Sequence, residues 1–137
     1  MLARYALAYV ATGIAFALID SVWLRTMYTR LYQPEIGSMM MDGFRLTPAI
    51  IFYLLYITGM MIFAVGPGLA NGSWKVALVQ GAMFGFFTYM TYDLTNYATL
   101  KVWSLKVTVL DIIWGTVLTG LSAAVGTAVT SYFMPRV

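Results

Sequence analysis

Apolar residues run along this chain in four long stretches separated by short polar segments, and the lengths of those stretches set its architecture. From Tyr5 to Leu24 there are about twenty residues, enough at about 1.5 Å per residue to cross a hydrocarbon core of about 30 Å. Comparable stretches at about 48–66, 75–100 and 105–133 predict four spanning helices in a single domain covering 1–137. The first stretch does not read as a secretory leader, because it continues through Asp20 to Leu24 and no small-residue cleavage site follows. Arg25 to Arg45 is the longest polar connection. Within it Tyr28, Leu31 and Tyr32 interleave with Arg25 and Arg30, which predicts a short helix at headgroup level, stopped by Pro34 and Gly37. Thr47-Pro48 opens the second span with proline in a favoured first-turn position, and Gly66-Pro67-Gly68 with Asn71-Gly72-Ser73 predicts the turn that follows it. The expected fold class is all-α: a four-helix transmembrane bundle with a short interfacial helix after the first span.

Composition agrees and narrows the chemistry. With 61% apolar and 9% charged residues, the 137-residue chain lies far outside the soluble globular range. It has no cysteine and no histidine, which excludes disulfides, thiolate or imidazole metal sites, histidine-ligated haem and the usual neutral-pH base. No cofactor and no metal site is therefore expected. A formal charge of +3 reports membrane topology rather than nucleic acid binding, so the expected partner is the lipid bilayer. Met39-Met40-Met41 reads as apolar filler rather than as a cuprous-ion site. Gly81 and Gly85, and the stripes Gly120/Ala124/Ala128 and Ser122/Gly126/Thr130, read as helix contacts, with surface left over for a homodimer.

Candidate chemistry centres on Thr91 to Trp103, where an acid and an amide stand three residues apart in an otherwise apolar chain. At helical spacing Tyr89, Asp93 and Asn96 share a stripe, and Tyr92 lies beside them. Asp20 and Asp111 are each followed three residues later by tryptophan, Trp23 and Trp114. Four spans joined by short loops alternate in direction, so the end of span one, the end of span three and the start of span four share one membrane face. Asp20, Asp93, Asn96 and Asp111 are then expected at similar depth on that side. Tyr53 and Tyr56, on one face of span two, carry hydroxyls that need partners if buried. Trp23, Trp74 and Trp103 sit where aromatic belts are expected.

Ionisable residues inside spans cost about 2.5–3.5 kcal/mol each at the helix centre and usually face the bundle interior. A shared proton or a bound cation would relieve the repulsion between such acids. The alternative is structural, with the acids pinning helices together through hydrogen bonds worth about 1 kcal/mol or less. The acid-bearing side has Arg25, Arg30, Arg45, Lys101 and Lys106 near its ends, against Arg4, Lys75 and Arg136 on the other, which places the acids toward the cytoplasm and both termini outside.

Tyr92-Asp93-Leu94-Thr95-Asn96, Ala98-Thr99-Leu100-Lys101, Trp103 and Val107-Thr108-Val109-Leu110-Asp111-Ile112-Ile113-Trp114-Gly115 together resemble a bacterial family of predicted membrane proteins, DUF2177. Asp20-x-x-Trp23, Pro48, Phe52-Tyr53-x-x-Tyr56-x-x-Gly59, Phe63 and Pro67 extend the resemblance over nearly the whole chain. It implies a four-span protein of the bacterial cytoplasmic (inner) membrane, with no assigned reaction, in a gene setting shared with cyclopropane fatty acid synthases and other lipid-modifying or oxidative-stress genes. By analogy, Asp20, Asp93, Asn96 and Asp111 carry its function. A carrier or binding protein for a proton, cation or amphiphilic small molecule ranks first, a lipid-modifying enzyme or its accessory second, and a structural membrane subunit third.

Overall fold

The computed structural model describes residues 1–136, and those residues form helices without strands. Four helices follow one another: α1 (Leu2–Met39), α2 (Leu46–Ala70), α3 (Trp74–Thr99) and α4 (Leu105–Phe133). Among the described residues, α1, α2 and α4 are long and apolar enough to cross a membrane. At 26 residues α3 is about 39 Å long, and Gln80, Thr88, Tyr89, Asp93 and Asn96 make it less apolar than the others. The whole is a helical membrane bundle.

Both α1 and α2 contain a π-helical turn, at Tyr28–Tyr32 and Met61–Val65. In each, the next N–H reaches five residues back, Gln33 to the Tyr28 carbonyl and Gly66 to that of Met61, and a proline follows at once. Proline has no N–H and its ring crowds the carbonyl four residues earlier; the widened turn shifts the carbonyl register where that would break the helix. Two expectations are corrected by this device. Pro34 does not stop the interfacial helix, which continues α1 without a break and ends in the 3₁₀ turn Gly37–Met39. Gly66-Pro67-Gly68 is not a turn but the final helical segment of α2, Gly66–Ala70. The reversal is confined to Asn71-Gly72-Ser73, where Gly72 takes φ 63°. Ser73 and Ser104 then cap α3 and α4 by accepting from the Val76 and Val107 N–H groups at 3.4 and 3.1 Å.

Neighbouring helices run in opposite directions. Arg4 Nε donates to the Met134 carbonyl at 3.0 Å and Arg136 Nη1 to that of Ala70 at 2.7 Å, so the start of α1 and the ends of α2 and α4 share one end of the bundle. The closest pair is α3 and α4. Gly81 and Gly85 lie against the backbone of Thr119, Gly120 and Gly115, and Gly126 lies against Thr12 of α1. Gly81, Gly85, Gly120 and Gly126 are thus taken up by contacts inside one chain. Phe16, Met60, Val65, Leu69 and Leu118 fill the core between the helices. Outward, Val10, Ile14, Leu18 and Val22 on α1 and Val109, Ile113, Val117, Leu121 and Val125 on α4 recur every fourth residue as exposed apolar faces suited to lipid.

The packing of α2 is uneven. Its π turn and last segment meet α3 and α4 closely, whereas the backbone of Leu46–Met60 stands off from both, and side chains such as Tyr56, Ile57 and Met60 bridge the distance. This leaves space at the end of the bundle where the acids lie.

Candidate ligand site at the carboxylate end

Asp20 is buried at the middle of α1 and is fully engaged. Tyr53 Oη donates to one carboxylate oxygen at 2.8 Å and Trp114 Nε1 to the other at 3.1 Å, so this acid ties α1 to α2 and α4. The Trp114 ring stacks on Trp23, with centroids 4.3 Å apart and planes within 6°. Trp23 is therefore not a belt residue. Its Nε1–H donates at 2.9 Å to Tyr32 Oη, and Tyr32 Oη donates at 2.7 Å to Asp111 Oδ1. A relay of aromatic groups thus runs from Asp20 to Asp111.

The sequence marks Tyr32 as part of the headgroup-level helix and not as a site residue, since it stands 79 positions from its partner. Continuation of α1 through the π turn carries it back over the start of α4, where Leu31 and Ile36 pack on Val107 and Trp103. Trp103 is likewise buried rather than placed in an interfacial belt; Tyr92 meets it edge-on with ring centroids 5.5 Å apart.

Asp93 is different from Asp20. Its side chain faces the carboxyl of Asp111, and both of its oxygens are buried without any hydrogen-bond partner. Two acceptor groups facing each other cannot bond without a proton or cation between them. The three acids do not close on one point: among the described residues no three His, Cys, Asp or Glu side chains are grouped to hold a metal ion.

Two cavities meet at Asp111 and Tyr92. The smaller, about 380 Å³, lies between α2 and α3 and is walled by Phe52, Tyr56, Thr88 and Tyr89. The larger, about 610 Å³, lies under the helical extension of α1 and is lined by Tyr28, Tyr32, Met39, Met40 and Asn96 among others. Tyr56 does not reach an acid: its hydroxyl pairs with those of Thr119 at 2.8 Å and Thr88 at 3.1 Å. Tyr89 packs its ring over Gly115, the only residue type that leaves room for it there. The tertiary structure therefore joins Asp20, Tyr53, Trp114, Trp23 and Asp111 in one network, sets Asp93 behind Asp111, and makes Tyr56, Tyr89, Tyr92 and Asn96 cavity walls.

No curated protein and no solved structure matches the chain. A family model described as "Predicted membrane protein (DUF2177)" matches residues 5–128, which span all four helices and every residue of this network. On that match the chain belongs to the DUF2177 family of predicted membrane proteins.

Proposed function

We propose that this protein binds a cation, a proton or the ammonium group of a small or amphiphilic molecule, at the facing carboxyls of Asp93 and Asp111. In this reading it is a carrier or binding protein with spans at about 5–24, 48–66, 75–100 and 105–133 in a bacterial cytoplasmic membrane. The observation that carries the reading is the state of Asp93, which is 0% exposed, has no partner on either oxygen and looks onto a second carboxyl. An uncompensated charge in such a place is destabilising by several kcal/mol. Among the described residues no cationic side chain pairs with either acid, and the one ion pair joins Lys106 to Glu35, at 4.0 Å. A ligand cation completes the site. Tyr32 holds Asp111 in orientation, and Asp20, with both oxygens satisfied, serves as a brace.

Replacement of Asp93 by asparagine keeps the shape and removes the charge. Calorimetric titration of the purified protein with tetramethylammonium is expected to show binding that Asp93→Asn and Asp111→Asn each weaken at least about ten-fold. The same Asp93→Asn protein should unfold at higher temperature, gaining about 1–3 kcal/mol because one unpaired buried acceptor becomes an N–H donor facing Asp111. Reconstitution in liposomes loaded with a pH-sensitive dye then separates a carrier from a receptor. A wild-type protein that binds no cation, together with an Asp93→Asn protein less stable than wild type, would show that the acid is a structural fastening instead.

A further inference from the structure

We infer that the occupant is a lipophilic cation, an ammonium group on an apolar body, that enters sideways from the bilayer through the gap between α2 and α3. This rests on the reading of Asp93 and Asp111 as a cation site, and adds the body that the cation carries and the route by which it arrives.

The wall of the smaller cavity points to the apolar body. Phe52, Tyr56, Tyr89 and Tyr92 bring four aromatic rings around about 380 Å³, with Asp111 as its single charged lining residue. Aromatic faces attract ammonium groups and accept alkyl chains, and the volume lies within the range of about 300–1,000 Å³ typical of small-molecule sites. A hydrated inorganic ion gains nothing from such walls.

Access points to the bilayer. Phe52 on α2 and Tyr92 on α3 flank the cavity and are 46% and 57% exposed, at the level where the backbone of α2 stands off from α3. Their neighbours Ile51, Leu55 and Phe87 are exposed apolar residues, so the rim of this opening is suited to hydrocarbon rather than water.

Charge selects the head. Asp111, the carboxyl at the meeting point of the two cavities, and Asp93, buried behind it, have no cationic partner among the described residues, and Lys106, which does not line either cavity, is engaged with Glu35. A phosphate or carboxylate head would meet like charge there. The larger cavity adjoins at Asp111 with the flexible side chains of Met39 and Met40 in its wall, a surface that adapts to heads of different shape.

The test uses the full chain in dodecylmaltoside micelles and compares dodecyltrimethylammonium, tetramethylammonium and dodecanoate by calorimetry. The dodecyl cation is expected to bind at least about ten-fold tighter than tetramethylammonium, and dodecanoate not to bind. Thr88→Trp, which fills the smaller cavity, should weaken the dodecyl cation at least about ten-fold and leave tetramethylammonium within about two-fold. Phe52→Trp narrows the lipid-side opening from an exposed position and should slow association of the dodecyl cation alone, so the inference does not depend on Thr88→Trp folding. Asp111→Asn should weaken both cations. Equal affinity for the two cations, insensitive to Thr88→Trp and Phe52→Trp but lost in Asp111→Asn, overturns the lateral amphiphile site and leaves the cation reading standing. Binding of either cation that ignores Asp111 overturns both.

Discussion

Three aspartates of similar sequence setting have different fates, and the difference lies in what donates to them. Asp20 receives a phenol and an indole, Asp111 receives one phenol, and Asp93 receives nothing. Hydrogen bonds to a charged acceptor contribute about 1.5–3 kcal/mol, and leaving a buried partner unmade costs about 1–3 kcal/mol. Tyr32→Phe deletes the donor to Asp111 and the acceptor for the Trp23 indole in one step. It is expected to lower stability by about 1–3 kcal/mol in thermal or denaturant unfolding. Tyr53→Phe leaves Asp20 its indole donor and should cost less, about 1 kcal/mol. If the two variants were equally stable, the Tyr32 relay would have no special standing.

At the scale of elements, small residues and π turns decide how close the helices come. Gly85 is buried where any Cβ would press into the Gly115 carbonyl and the Thr119 side chain, so backbone of α4 blocks the added methyl. Gly85→Ala should force α3 away from α4 and destabilise by about 1–3 kcal/mol. Gly43, in the α1–α2 connection, has φ 75° and open space around it. Alanine there should cost only its backbone strain, about 1 kcal/mol, and the ratio of the two losses in parallel unfolding experiments checks that steric closeness, not backbone freedom, is what the bundle needs. The π turns of α1 and α2 bracket the site from opposite sides: one brings Tyr32 over α4, and the other returns α2 to close packing beyond the cavity.

For the whole molecule, the flanking charges predict which way the carboxylate end faces. Arg25, Arg30, Arg45, Lys101 and Lys106 flank that end in the sequence, and the positive-inside bias predicts that it faces the cytoplasm. The chain has no cysteine, so a single introduced thiol reports position without background. Ser38→Cys and Lys101→Cys should react with a membrane-impermeant maleimide only after the cells are opened, and Asn71→Cys should react in intact cells. The reverse pattern would put the carboxylate end on the outer face.

Hydrophobic run length by itself determined the helical class, because a chain this apolar must satisfy its backbone within helices. The recurrence of Asp93, Asn96 and the two Asp-x-x-Trp segments was enough to mark the polar end and, with the flanking positions, the family. What only the tertiary structure decided was pairing. No local pattern tells that Tyr32 crosses to Asp111, that Trp114 reaches Asp20 while Trp23 stacks on it, or that Asp93 alone goes without a donor. Gly66-Pro67-Gly68 shows the same limit, since its composition spells a turn and a π turn upstream keeps it helical. Periodicity reports which way a side chain points along its own helix; partners are chosen by the approach of other helices, and that approach depends on contacts far apart in the chain.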